Sequence, residues 1–347
     1  MTKKNIGITT TVPIEIPLAA GYSPIDLNNL FIGDPSPERL VRIAEQDGFP
    51  QNCCTWIKGI YGACRSYNIN PVICVTNGDC SNTIMLMEVL QLKGFETIAF
   101  AYPDTPNYFR MRYCLESLAE SLGTTVEEAE SVKEGLATCR KLTSHLDELT
   151  WKKGVISGWE NHRWLVSCSD FNSDYATYEK NLRHLLQECQ DRQSYSEDML
   201  RLAFIGVPPL FAQDLYHSIE RYGALVVFNE VQRQFAMPQP GDSLSQQYTN
   251  YTYPYSISDR LNDILPELDR RQVTGVIHYI QAFCHRGIAD IVFRNSIRLP
   301  VLTLEGNNDY ILSQQLQTKI EAFLDMVRRR QDVSNRGEKE MEGNLHG

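Results

Sequence analysis

Three cysteines in this chain stand in the same kind of place. Cys80 lies in Gly78-Asp79-Cys80-Ser81-Asn82-Thr83 and Cys54 in Cys53-Cys54-Thr55-Trp56-Ile57-Lys58-Gly59; Cys284 follows about 200 residues later in Phe283-Cys284-His285-Arg286. Each is predicted to sit where a helix begins. Unpaired backbone N–H groups and the positive end of the helix dipole favour a thiolate there. Thiolates gathered from several such points can hold a metal centre.

The elements around them give this placement. Val72-Ile73-Cys74-Val75-Thr76 reads as a buried strand, Asn77-Gly78-Asp79 as a turn, and Ile84 to Leu92 as a helix capped by Ser81-Asn82, so Cys80 marks the handover. Gly275 to Ile280 is a β-rich run followed by a helix-compatible segment from about Ile288 to Asn295, which repeats the arrangement around Cys284. Trp56, Ile57, Ile60, Tyr61 and Cys64 follow Cys54 at helical spacing. Further strands are predicted at residues 6–12, 97–101, 202–207, 225–228 and 301–304. Helices are predicted near 37–44, 108–122, 125–149, 175–189, 211–222, 258–272 and 314–329. Strands alternating with helices imply parallel sheets with helices on both faces, whose active loops lie at the carboxyl ends of the strands.

The domain organisation expected is an α/β unit over 1–150 with Cys54 and Cys80, a helical and linker segment over 151–197, and an α/β unit over 198–330 with Cys284. A polar, charged tail over 331–347 is expected to be disordered. The two α/β units would face each other across a shared site.

Ten cysteines without a secretory leader do not suggest a disulfide framework. Neither C-x2-C zinc spacing nor a thioredoxin-like motif occurs, whereas an iron–sulfur cluster tolerates ligands spread this widely. A cysteine–histidine pair built from Cys284 with His285 or His278 stays open as a catalytic alternative. Cys114, Cys139, Cys168 and Cys189 read as core-filling thiols. Cys64 lies ten residues beyond Cys54, about 15 Å along a helix, and would share a centre with it only if the helix broke at Gly59 or Gly62.

A net charge of −10 leaves no basic footprint for nucleic acid. No stretch is long and apolar enough for a membrane helix and no leader is evident, so a cytoplasmic protein is expected. P-loop and G-x-G-x-x-G motifs are absent, so nucleotide energy would arrive through another protein. His285 and Glu305 are candidate proton donors, and Lys58, Asn82, His278, Arg286 and Asp309 are candidate neighbours of the centre. Capping and salt bridging at loop ends is the simpler reading of each of these taken singly. Trp159, Glu160 and His162 read either as domain packing or as the lining of a substrate channel.

Taken together, Pro13-Ile14-Glu15, Ala19-Ala20-Gly21-Tyr22-Ser23-Pro24, the Cys54-x-Trp56-Ile57-Lys58-Gly59 run, Gly78-Asp79-Cys80-Ser81-Asn82-Thr83, Phe283-Cys284 and Pro300-Val301-Leu302-Thr303-Leu304-Glu305 resemble the 2-hydroxyacyl-CoA dehydratase and benzoyl-CoA reductase superfamily, over nearly the whole chain to about residue 330. The resemblance implies two flavodoxin-like halves around a 4Fe-4S cluster on Cys54, Cys80 and Cys284. It also implies a separate ATP-hydrolysing activator, with its own 4Fe-4S cluster, as the electron source. Vicinal Cys53-Cys54 and Gly-Asp-Cys-Ser-Asn-Thr look most like the double-cubane cluster proteins, homodimeric reductases with an 8Fe-9S centre. Such a centre needs further thiolates, for which Cys53 is the first choice and Cys64 the next, whereas Cys74 reads as core.

Three functions follow as expectations. The first is a cluster-dependent reductase component that takes low-potential electrons from the activator to a small substrate. The second is a 2-hydroxyacyl-CoA dehydratase subunit, paired with a different homologous subunit, that eliminates water to an enoyl-CoA. The third, from another class, is a non-catalytic electron-transfer or maturation protein, for which no cavity would adjoin the cluster.

Overall fold

Runs such as Val72-Ile73-Cys74-Val75 show no polar alternation because helices cover both faces of the sheet they enter, and all four residues are buried. The computed structural model describes residues 4–345, with side chains described to residue 333. The first sheet contains β1 (Lys4–Ile8), β2 (Tyr22–Asp26), β3 (Val72–Asn77) and β4 (Thr97–Ala101). The second contains β5 (Leu200–Ile205), β6 (Ala224–Asn229), β7 (Gly275–Gln281) and β8 (Val301–Gly306). Every pairing is parallel, and the strand orders are β2-β1-β3-β4 and β6-β5-β7-β8. Both sheets therefore reverse direction at the same point, between the first and third strands, where open parallel sheets bind their ligands. This is the expected α/β class, two parallel-sheet units.

Most helices fall where periodicity places them, including Tyr108–Leu122 and the long Val126–Glu148 helix. The latter opens on a capping box in which Thr125 and Glu128 satisfy each other's backbone N–H groups. β2 is the exception, because Ser23-Pro24 reads as a breaker. It forms on the sheet edge, where a proline's missing N–H leaves no neighbour unpaired.

The Val126–Glu148 helix is tied to both halves through buried charge. Arg140 pairs with Glu15 at 2.6 Å. At the helix's other end, Asp147 receives two bonds at 2.9 and 2.6 Å from the fully buried Arg271, whose Nε reaches Glu267 at 2.7 Å. The two cores do not separate at a cut in the sequence. Val231, Phe235, Tyr248, Tyr251 and Tyr253, all beyond residue 198, join the core beneath the first sheet.

The last helix, Gln314–Leu345, continues through most of the stretch for which disorder is expected. Its Arg, Lys, Glu and Met residues are good helix formers, and extending an existing helix needs no new nucleus. Residues 346 and 347 lie outside the described residues. Among those described, no helix is long and apolar enough to cross a membrane.

Candidate functional site

Each of the three cysteines is placed by the end of one element and the start of the next. Cys54 is the N-cap of the Thr55–Tyr67 helix, Cys80 follows β3 and precedes the Asn82–Leu92 helix, and Cys284 caps the short 3-10 turn His285–Ala289 after β7. Backbone N–H groups face every sulfur: those of Ile57 and Trp56 at Cys54, that of Asn82 at Cys80, and those of Arg286 and Gly287 at Cys284. Burial outweighs them. It pushes the Cys54 thiol up to about 11 and Cys80 up to about 12, and raises Cys284; the Asp79 carboxylate adds to the Cys80 shift, and neighbouring thiols add to the first two. Close, buried thiols of this kind ionise when a cationic centre joins them.

All three line one cleft of about 590 Å³. The loops that build it occupy equivalent positions in the two sheets: Thr9 and Thr10 after β1, Asp79 and Cys80 after β3, Val207 to Leu210 after β5, and Gln281 at the end of β7 with Cys284, His285 and Arg286 after it. The cleft is thus the shared switch point of both halves. Its other walls are mainly apolar, with Trp56, Ile57, Trp159 and Phe235 among them. The floor is fastened across the halves. The Tyr253 hydroxyl donates to Asp79 Oδ1 at 2.8 Å, Thr55 Oγ1 reaches Asn307 Oδ1 at 3.4 Å, and the Arg286 guanidinium holds the Gly78 carbonyl at 2.8 Å.

The family model described as 2-hydroxyglutaryl-CoA dehydratase, D-component, matches residues 9–327, a span that holds every strand of the two sheets except β1, and all three thiols. The chain belongs to this family. No curated protein matches it. A solved structure, the substrate-binding protein FpvC with Ni2+ from P. aeruginosa, aligns at 14% identity over 96% of this chain and 98% of that one, with a TM-score of 0.22, and supports no argument.

The donor set of this D-component family member fits a cluster held by three thiolates. Three sulfurs arrive from three separate loops, each at an element's N-terminus, with the cleft open beside them. The buried indole N–H of Trp56, on the cleft wall, has no partner among the described residues, as expected where an acceptor belongs to a bound group. Among the described residues no three His, Cys, Asp or Glu side chains converge tightly enough for one metal ion. A cluster differs in spreading its thiolates over several irons.

The remaining candidates divide. Cys53 is half-buried beside Cys54, and Lys58 opposes the upward shift that burial imposes on its thiol. Cys64 is not brought to the site. The Thr55–Tyr67 helix runs unbroken through Gly59 and Gly62, because both glycines serve helix packing, and it carries Cys64 into the core beside Cys74. His285 lines the cleft, with Nδ1 3.5 Å from Ser81 Oγ; burial and Arg286 lower its basicity. Glu305 lies exposed on β8, outside the cleft lining, and Asp309 Oδ2 accepts from the Asn307 backbone. Lys58 is buried in an ion pair with Glu45. His278 is buried against Asp290 at 2.7 Å, outside the cleft lining.

Trp159 and His162 line the cleft as a stacked pair with centroids 5.2 Å apart, while Glu160 caps its own helix and pairs with Arg192. Two features carry no signal in the sequence. One is Tyr253, from a Tyr-rich loop with no periodicity. The other is a buried carboxyl pair, Asp26 and Asp170, in which the Asp26 N–H donates to Asp170 Oδ2 at 2.8 Å and Asp26 borders the cleft.

Proposed function

We propose that this chain is the cluster-bearing subunit of a dehydratase-type enzyme, holding a 4Fe-4S cluster on Cys54, Cys80 and Cys284 and acting on a small 2-hydroxyacyl substrate, such as an acyl-CoA, in the adjoining cleft. The carrying observation is that three thiols from both halves of the chain line one apolar-walled cavity. Such a cluster, when bound, supplies one low-potential electron at a time. The chain's own residues position the thiols and hold a substrate with an apolar body between Trp56 and Trp159. His285, at the cleft edge, is placed to move a proton. The electron would come from the ATP-hydrolysing activator, since the chain has no nucleotide loop of its own, and a homologous subunit would complete the assembly. The cavity beside the thiols speaks against a passive electron carrier, which has no use for one.

A second reading is favoured by Cys53: a homodimeric reductase whose 8Fe-9S double cubane takes that thiol as a further ligand. The two separate in one experiment on anaerobically purified protein. Iron and acid-labile sulfide near about four per chain support the dehydratase type, and near about eight the double cubane. Electron accounting decides independently. A dehydratase regains its electron and forms many products for each one delivered, whereas a reductase consumes electrons in proportion to product. An iron-free chain with silent cysteine substitutions would sink both.

A further inference from the structure

Arg286 lies two residues beyond Cys284 but spends its guanidinium on the other half of the molecule. Nη2 donates to the Gly78 carbonyl at 2.8 Å, Nε to the Asp79 carbonyl at 3.4 Å and Nη1 to the Tyr253 carbonyl at 3.2 Å. Its guanidinium carbon lies 4.6 Å from the centre of the Tyr253 ring, over which Arg260 also stands at 5.5 Å. Tyr253 in turn donates its hydroxyl to Asp79.

The turn held in this way is unusually dependent on being held. Gly78 has φ +93°, and a Cβ there would stand 2.8 Å from Cβ atoms of both Pro254 and Tyr102. The Gly78-Asp79 turn, the 253–254 segment and the Cys284 turn therefore form one knot, and Cys80 is the next residue along the chain. Backbone carbonyls satisfied by a planar, permanently charged fork are fixed in direction as well as distance.

We propose that Arg286 is a positioning residue for the cluster site, fastening the Cys80 turn to the Cys284 turn and placing a fixed positive charge beside the cluster. The charge half rests on the function proposed above; the fastening half does not. Reduction adds negative charge to a cluster, and a buried cation nearby stabilises the reduced form, so losing that cation makes the reduction potential more negative. A hydrogen-bonding role alone would leave the potential of Arg286→Lys and Arg286→Gln equal.

The test compares full-length wild type with Arg286→Gln and Arg286→Lys. In iron-free chains of unchanged circular dichroism, iodoacetamide is expected to alkylate Cys80 faster in Arg286→Gln by about tenfold, the factor one charge-assisted hydrogen bond represents, with Arg286→Lys in between. In reconstituted chains, potentiometry followed by EPR is expected to give Arg286→Gln a more negative midpoint, and Arg286→Lys one near wild type. Unchanged alkylation in both variants overturns the fastening. Equal midpoints overturn the charge. A wild-type chain that holds no iron removes the proposed function and the charge role with it, while the alkylation rates still decide the fastening.

Discussion

Cys80 and Cys284 are equivalent residues of two sheets with one topology. Each follows the third strand of its sheet, β3 or β7, and each faces the point where strand order reverses. Cys54 has no such counterpart, since it enters from the helix that covers the first sheet. A site built by repetition plus one addition has a testable asymmetry. Cys54→Ala, Cys80→Ala and Cys284→Ala should each abolish retained iron on anaerobic purification, while Cys64→Ala keeps it. Removing that buried core sulfur should instead destabilise the fold by about 1–2 kcal/mol, read by denaturant titration. Iron lost from Cys64→Ala at unchanged stability would refute the assignment.

The helix that delivers Cys54 depends on Gly62. A Cβ there would stand 2.1 Å from the Leu40 carbonyl oxygen of the Pro37–Gln46 helix, a backbone atom with no rotamer to yield. Gly62→Ala must push the two helices apart, and about 1–3 kcal/mol of stability should go with it. The shift also carries Cys54, so the same variant should retain less iron even at temperatures where it remains folded. Full retention at full stability would show that the helix contact is looser than the geometry says.

The sequence is most informative where function rests on local chemistry. Cys80 sits between a β-branched run and a capped helix, so its place is fixed by neighbours within a few residues. Cys284 repeats that pattern, and both could be read directly. Arg286, Tyr253 and the Asp26 and Asp170 pair act on partners 33 to 208 positions away, and no periodicity encodes such a meeting. β2 was hidden for another reason. Its proline argues against a strand in general and is harmless on an edge, which is a fact of sheet order rather than of local sequence. Glu305 shows the converse error. It is close to the site along the chain, yet its strand position points it to solvent, because adjacent residues on a strand face opposite ways.

Arg271 should be among the least replaceable residues away from the cleft. It is fully buried, makes two bonds to Asp147 and one to Glu267, and donates to the Val227 carbonyl at 2.7 Å, joining the long helix to the second sheet. Arg271→Met fills similar volume but leaves Asp147 buried with Asn161 as its remaining side-chain donor among the described residues. A loss of about 3–5 kcal/mol is expected, since breaking a buried pair strands a charge. The double variant Arg271→Met with Asp147→Leu should recover part of it. A double variant no better than the single would mean that packing, and not the stranded carboxylate, sets the loss.

The Asp26 and Asp170 pair predicts a pH dependence of defined sign. Burial first, and then the Asp26 carboxylate beside it, raises Asp170 from its ordinary 3.8 to about 7, and burial raises Asp26 as well. The folded chain thus keeps a proton that the unfolded chain releases near pH 4. Between about pH 4 and 7 the native state binds more protons, so this contribution is fully present at the acid end and is lost as pH rises through 7, on the order of a few kcal/mol in all. His162 works the other way. Burial lowers it to about 3, so its contribution is lost as pH falls below the ordinary 6.5. Comparing variant with wild type isolates the carboxyl pair from that opposing slope. Asp170→Asn removes the titrating proton while keeping one oxygen to accept from the Asp26 N–H. Its melting temperature, relative to wild type, should therefore rise steadily from pH 5 to pH 8. A constant difference across that range would mean that Asp170 is already ionised in the folded chain and that the pair holds no proton for the cleft.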